Sequence, residues 1–152
     1  MNRITSLQID WYDNGLTCGD SIVHQVTSVY RNKKQIIYRG YNAISKEPQE
    51  TFTAPMDATQ CEALFSLLEK AESAKDFDHN FVVRVCDGWA WDMRLRHSDN
   101  SITLIEGTVE YPTHGEEIDK YIRTALDQAL ILNEPMIFGC RVYDEDECED
   151  EE

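Results

Sequence analysis

The sequence predicts an α+β fold, an antiparallel sheet of about six to seven strands with two helices packed on one face. Segments with the two-residue hydrophobic period of strands occupy most of the chain. Two segments with the period of a one-sided amphipathic helix interrupt them. The order is strands, helix, strands, helix and strand, which is typical of helices gathered on one side of an antiparallel sheet.

The first third of the chain is predicted to be an antiparallel meander. Leu7, Ile9 and Trp11 share one face of a strand over residues 3–12, because successive side chains of a strand point to opposite faces. A polar turn over residues 32–34 separates the next two strands. These strands, and a short fourth one expected at a sheet edge, are predicted over residues 21–31, 35–43 and 50–54.

Capping signals mark the two helices. Asp57 is the predicted N-cap of the first, Gln60 completes its capping box, and the helix should end near Ala74. Thr113 is the predicted N-cap of the second, with Glu116 as its partner. The predicted buried stripes are Cys61, Leu64, Phe65, Leu68 and Ala71 in the first helix and Ile118, Tyr121, Ile122, Ala125, Leu126, Ala129 and Leu132 in the second.

A hairpin is predicted around the turn signal Asp87-Gly88. We favour a three-residue loop over residues 86–88, because it places every large apolar side chain on one side. A two-residue turn is the alternative, and it would move Arg84 to the tryptophan face. The pairs that the longer loop predicts are Val85 with Trp89 and Val83 with Trp91.

A further strand is predicted over residues 101–109, after a turn at Asp99-Asn100. Its faces conflict, since Ile102 and Leu104 favour one side whereas Ile105 and Val109 favour the other. Either a bulge intervenes or both faces are covered. A last strand is predicted over residues 136–142.

Composition indicates one globular domain over residues 1–143, since 41% of the residues are hydrophobic. No run approaches the ~18 apolar residues of a membrane span, and no secretory signal is visible, so we expect no membrane association. The five cysteines are widely spaced without a C-x-x-C pair. We therefore expect reduced thiols and a cytoplasmic protein.

The net charge of −15 is uneven along the chain. Residues 144–152 form an acidic tail with eight carboxylates, and the rest of the chain carries the other −7. Direct binding of nucleic acid is not expected, because phosphate contacts need a basic face. A basic protein or a nucleic-acid-binding protein is the expected partner. The alternative for the tail is a solubilising end.

The segment Asp87-Gly88-Trp89-Ala90-Trp91, followed by Gly107 and by Tyr111-Pro112 before a helix, resembles a group of uncharacterised small bacterial proteins. The resemblance covers residues 57–130, and Val109 stands where that group has Asn. It implies the α+β fold and a bacterial or phage origin, and it implies no activity. Gly107 in this pattern would let Trp91 lie across a neighbouring backbone.

No cofactor or metal site is predicted. The four histidines lack ligand spacing on a helix, and no H-E-x-x-H motif occurs. Cys61 lies in the first turn of a helix, where a thiol pKa is lowered, but it also belongs to the apolar stripe, and we favour a core role. Cys86 is a poor nucleophile candidate because Asp87 would raise its pKa.

Several acidic and aromatic side chains are candidate ligands near the predicted hairpin. Asp87 and Asp92 could form a glycosidase-type pair, and Glu106 could face Met93. Two tryptophans at this spacing are either a ligand platform or, more often, core. The basic side chains Arg84, Arg94 and Arg96 would share the opposite face, either as a basic patch or paired with nearby acids.

The resulting hypothesis is a non-enzymatic, acidic binding or inhibitory protein that docks on a basic surface of a partner protein. Immunity proteins, inhibitors of defence nucleases and DNA mimics act in this way. The alternative is a small hydrolase or ligand-binding protein with a site around Asp87, Trp89, Trp91 and a histidine. The residues expected to bind a ligand or partner are Asp87, Trp89, Trp91, Asp92, Asp144, Glu145, Asp146 and Glu147.

Overall fold

The computed structural model describes residues 3–13, 22–44, 46–82, 89–108, 110–126 and 136–139. The description of strands, helices and contacts below refers to these residues. In chain order the elements are β1 (Ile4–Asp13), β2 (Ile22–Tyr30), β3 (Gln35–Asn42), β4 (Glu50–Pro55), α1 (Ala58–Glu72), β5 (Asn80–Phe81), β6 (Trp89–His97), β7 (Ile102–Gly107) and α2 (Gly115–Leu126).

The strands form one seven-stranded sheet in the order β4-β3-β2-β1-β6-β7-β5. Neighbouring strands are antiparallel except β5 and β7, which are parallel. The predicted meander of the first four strands and the edge position of β4 are confirmed. The α+β fold class is confirmed as well. No described helix is long and apolar enough to cross a membrane.

One face of the sheet, here called the covered face, packs against both helices. Alternation along β1 and β6 supplies its central side chains, which are almost completely buried. The helices bury their apolar stripes in the same cluster, led by Leu64 and Phe65 from α1 and by Ile118 and Ile122 from α2. The central cross-strand pairs are Leu7 with Leu95, Ile9 with Met93 and Trp11 with Trp91.

Helix α1 begins as its sequence predicts. The carboxylate of Asp57 accepts a hydrogen bond from the backbone N–H of Gln60 at 3.1 Å, so Asp57 is the N-cap. The helix ends at Glu72, slightly before the predicted end near Ala74, and Ser73 closes it by donating its N–H to the carbonyl of Glu69 at 3.1 Å. Cys61 is fully buried in the stripe.

Helix α2 begins at Gly115, and the predicted capping box of Thr113 and Glu116 is wrong. His114 precedes the helix with a φ of 59°, and its carbonyl accepts the first helical hydrogen bond, from Ile118 at 3.0 Å. The backbone N–H of Gly115 instead turns back to the carbonyl of Pro112 at 2.8 Å. Because of this turn, His114 and not Thr113 is the residue directly before the helix, where the N-cap lies.

Residues 83–88, which include the predicted hairpin loop over 86–88, lie outside the described residues. The predicted pairing of Val85 with Trp89 therefore lies outside them as well. The other predicted pair, Val83 with Trp91, is wrong, because Trp91 has Trp11 and Gly107 as its neighbours in the sheet. Phe81 is the parallel partner of Gly107. Strand β6 is therefore a central strand between β1 and β7.

The conflict of faces in β7 has a simple solution that needs neither a bulge nor cover on both sides. The register between β6 and β7 is continuous from Trp91–Gly107 to Arg96–Ile102. Ile105 faces the core, whereas Ile102 and Leu104 lie on the other face with 49% and 40% exposure. The turn before β7 is confirmed, since Asn100 has a φ of 72°.

Residues 136–139 form a turn where a last strand was predicted. The N–H of Gly139 donates to the carbonyl of Met136 at 2.9 Å, and Ile137 has a φ of 56°. The segment still contributes to the core, because Phe138 is fully buried against Trp91 with ring centroids 5.1 Å apart. Ile137 and Phe138 are therefore buried, but the backbone turns where a strand was predicted, and residues 140–142 of that predicted strand lie outside the described residues.

Arg31, which follows β2, ties the sheet to α1. Its guanidinium donates to Glu62 and Glu69 at 2.8 Å each, and to the carbonyl of Ile4 at 2.9 Å. It also lies over the Phe65 ring, 5.3 Å from the centroid. The buried guanidinium of Arg31 therefore binds β1 and α1 at the same time.

His97 makes a second tie between the sheet and α1. Its Nε2 lies 2.8 Å from Glu72 and its Nδ1 lies 3.1 Å from the carbonyl of Ser101. Burial lowers the pKa of His97, but the bond to Glu72 and the Ser101 carbonyl outweigh burial and raise it overall. The imidazolium is therefore favoured in the folded state.

We expect His97 to make stability depend on pH. Because its folded pKa lies above the ordinary value of 6.5, its stabilising contribution is complete below that value and is lost as pH rises through the folded pKa. The stability difference between wild type and His97→Gln, measured by urea unfolding, should be largest below pH 6.5 and should fall as pH rises above that value. His79→Gln, which removes an exposed histidine, is the matched control. A constant difference for His97→Gln would contradict the prediction.

Candidate functional site

The second face of the sheet, here called the open face, lies opposite the two helices and collects the polar side chains of five strands. In β1 the alternation that buries Leu7, Ile9 and Trp11 sends Gln8, Asp10 and Tyr12 to the open face. The registers then place the following side chains on the same face: His24, Val26 and Ser28 from β2, Arg39 and Tyr41 from β3, Ala90, Asp92, Arg94 and Arg96 from β6, and Ile102, Leu104 and Glu106 from β7.

Three aromatic rings form a ladder across β1, β2 and β3. Tyr12 is the cross-strand partner of His24, which is in turn the partner of Tyr41. The ring centroids are 4.4 Å and 5.2 Å apart and the planes are tilted by only 17° and 25°. Each ring thus stacks on the next, and His24 keeps 30% of its side chain exposed.

Asp10 lies at the centre of a hydrogen-bond network on the open face. It accepts from Gln8 at 2.8 Å, from Nε2 of His24 at 3.0 Å and from the Tyr12 hydroxyl at 3.3 Å, and Arg94 lies 3.4 Å away. Since a carboxylate only accepts, Nε2 of His24 carries a hydrogen. Burial raises the pKa of Asp10, but the bonds from His24 and Gln8 and the nearby cations outweigh burial, so the pKa lies below its usual value.

A row of three carboxylates crosses β1, β6 and β7. Asp92 has Asp10 as its partner on one side and Glu106 on the other. Burial raises the pKa of Asp92, Arg94 opposes this shift, and Glu106 and Asp10 add to it, so the net pKa lies above the usual value. Like charges in directly opposite positions destabilise a sheet. The chain therefore maintains an unfavourable arrangement on this face.

The Tyr12 hydroxyl is held in its neutral form. Burial, together with the charges of Asp10 and Asp92, raises the pKa of Tyr12 to about 12. This hydroxyl donates to Asp10 and does not act as a base near neutral pH.

The β7 end of the open face is apolar. Ile102 and Leu104 stand directly beside Arg96 and Arg94, and both are partly exposed. Arg94 itself lies near two carboxylates, 3.4 Å from Asp10 and 3.9 Å from Asp92. Arg94 is thus paired with acids, which is one of the two alternatives predicted for the basic side chains of this face. Arg84 lies outside the described residues.

The predicted site residues are only partly brought together. Trp91 is fully buried on the covered face and donates its indole N–H to the carbonyl of Glu110 at 2.7 Å. Trp89 is half-buried and donates to the carbonyl of Phe138 at 2.8 Å. Asp92 points to the open face, and Glu106 faces Asp92 and not Met93, whose partner is Ile105. The remaining predicted residues, Asp87, Asp144, Glu145, Asp146 and Glu147, lie outside the described residues.

The thiol and metal candidates give little chemistry. Cys61 is buried in the core, and burial raises its thiol pKa, with Glu62 adding to the shift. This outcome agrees with the core role predicted for it. Within the described ranges, no group of three His, Cys, Asp or Glu side chains could hold a metal ion.

Sequence reasoning missed Asp10, Tyr12, His24 and Tyr41. The alternation of β1 was visible and would have placed Asp10 and Tyr12 together on the polar face. The register that adds His24 and Tyr41 was not visible. A scan against protein-family models, a search of curated proteins and a search of solved structures find no match to this chain.

Proposed function

We propose that this chain is a non-enzymatic, acidic, cytoplasmic binding protein that docks its open face on a basic surface of a partner protein. It would act by occupying that surface, in the manner of an immunity protein, a defence-nuclease inhibitor or a DNA mimic. The observation that carries the proposal is the carboxylate row of Asp10, Asp92 and Glu106.

The row favours a cationic partner because such a partner would relieve its repulsion. Asp92 lies between two other carboxylates and has a raised pKa, so ionising it in the free protein is costly. A Lys or Arg side chain placed against the row would stabilise the ionised form of Asp92. Functional sites commonly keep such unfavourable charge arrangements, and the energy is recovered on binding.

Two further features support a protein partner. The exposed Ile102 and Leu104 beside the charged rows give the open face the mixed character of a docking surface. The net charge of −15 favours encounter with a basic protein and raises the association rate. The acidic tail, residues 144–152, would contribute to this attraction at long range.

The alternative hydrolase or ligand site around Asp87, Trp89, Trp91 and a histidine has weaker support. Trp91 is fully buried with its N–H engaged, and Asp92 points to the opposite face of the sheet. These two side chains therefore cannot converge on one ligand.

The proposal is tested by neutralising two carboxylates of the row. Asp92→Asn with Glu106→Gln should abolish capture of a basic protein from a host extract. The same variant should be as stable as wild type or more stable, by about 0.2–1 kcal/mol for each relieved cross-strand pair. Because the folded pKa of Asp92 is raised, this gain should be present at neutral pH and vanish as pH falls below its ordinary pKa of 3.8.

The matched control neutralises two exposed acids that belong to no strand, Glu110→Gln with Glu116→Gln. It removes the same charge and should capture the same partner as wild type. Deletion of residues 144–152 should leave the melting temperature nearly unchanged and slow association, with a flatter salt dependence. Equal capture by the open-face variant and its control would refute the proposal.

A further inference from the structure

We propose that the open face receives an arginine side chain of the partner in a slot above Ala90, between the Tyr12 ring and the carboxylate of Asp92. This inference rests on the proposed function and specifies its partner, because it distinguishes an arginine from any other cation. In this slot the aromatic ladder, as well as the negative charge, contributes to recognition.

The ladder of rings ends at Tyr12. His24 covers one side of the Tyr12 ring, at a centroid distance of 4.4 Å. The other neighbour of Tyr12 in the same row is Ala90 on β6. Adjacent strands lie about 4.8 Å apart, which is close to the spacing of stacked rings. Among the residues that the structure describes, the methyl group of Ala90 occupies the position where a fourth ring would continue the ladder.

The carboxylates stand one row away from this gap. Asp10 and Asp92 are each two residues from Tyr12 and Ala90 along their strands and therefore point to the same face. The side chain of Asp10 is only 9% exposed and already accepts from Gln8, His24 and Tyr12. The side chain of Asp92 is 27% exposed, and its Arg94 contact of 3.9 Å is longer than a hydrogen bond. Asp92 thus has capacity to accept from an incoming donor.

Arginine fits these two features better than lysine. Its guanidinium is planar and weakly hydrated, so it stacks on an aromatic ring and donates in its own plane to a carboxylate. The ammonium of lysine is a strongly hydrated point charge and gains less from the ring face. A slot of this kind therefore recognises the shape of the cation as well as its charge.

The test uses two defined probes, N-acetyl-arginine amide and N-acetyl-lysine amide, titrated into the isotope-labelled full chain and followed by NMR. The arginine probe should shift the signals of Tyr12, Ala90 and Asp92 and bind about two- to fivefold more tightly than the lysine probe. Ala90→Leu, which fills the slot, should remove this preference. Ala90→Ser, of nearly equal size, should keep it.

The outcomes separate this inference from the proposed function. Equal binding of both probes, or an unchanged preference in Ala90→Leu, overturns the arginine slot. Loss of partner capture by Asp92→Asn with Glu106→Gln would still support the proposed function in that case. Arginine-specific shifts that depend on Ala90, together with unimpaired capture by the open-face variant, would support the slot and overturn the proposed function. Should Ala90→Leu unfold, Tyr12→Leu serves instead and should likewise remove the preference.

Discussion

Trp91→Ala is expected to lower the free energy of unfolding by about 3–5 kcal/mol, the usual cost of truncating a buried tryptophan. The side chain has no exposed surface and packs edge-to-face on Phe138, with a second ring contact to Phe81 at 6.2 Å. Its removal would leave a cavity that the sheet cannot close. It would also leave the carbonyl of Glu110 without its indole donor.

Urea unfolding followed by circular dichroism measures this loss. Trp91→Phe keeps a ring in the core and loses only the N–H and part of the volume, so it should cost less than the alanine variant. Trp89→Ala, at a half-buried position on the same strand, should also cost less. A loss below about 1 kcal/mol for Trp91→Ala, as expected for a surface position, would contradict the core role.

Gly107→Ala is expected to lower the free energy of unfolding by a comparable amount, about 3 kcal/mol or more, which is at or above the upper end of overpacking effects. A Cβ at Gly107 would lie 2.2 Å from Cζ2 and 2.4 Å from Cε2 of Trp91. The indole cannot retreat, because it is fully buried and its N–H is bonded to Glu110. The sequence-based expectation that Gly107 admits Trp91 across the backbone is thus confirmed.

A double-mutant cycle separates this clash from a general cost of losing a glycine. In the Trp91→Ala background, Gly107→Ala should cost far less, with a coupling energy at the upper end of the 0.5–3 kcal/mol range. Gly40→Ala is the matched control within the sheet, because its nearest contacts are 3.1 Å and longer and belong to side chains. Additive losses at Gly107 and Trp91 would contradict the proposed cause.

The sequence predicted local elements well because strand and helix periods are local properties. Strand β1 and its buried face followed from Leu7, Ile9 and Trp11, and α1 followed from Asp57 and its stripe. The pairing of β6 with β1 did not follow. The predicted hairpin around Asp87-Gly88 was the simplest hypothesis, because strands that follow each other in the sequence usually pair. Strand β1, which pairs with β6 on the side opposite β7, carries no sequence signal that marks it as a partner.

In the candidate site, likewise, a single residue was predicted but its neighbours in space were not. Asp92 was selected from the sequence, but with Asp87 and the tryptophans as its expected companions. Its observed neighbours, Asp10 and Glu106, come from strands on either side of β6. A cross-strand neighbour can be identified only when register and strand order are both known. The ladder of Tyr12, His24 and Tyr41 was missed for this reason.

The central position of β1 has a consequence for synthesis on the ribosome. One edge of β1 can pair with β2 early, but the other waits for β6, which ends 84 residues after β1 does. At 5–20 residues per second, that edge stays unpaired for roughly 4–17 s in the growing chain. Unpaired edges invite aggregation, and a charged side chain along a strand discourages it. Asp10, nearly buried in the finished sheet, would protect the nascent chain until β6 arrives.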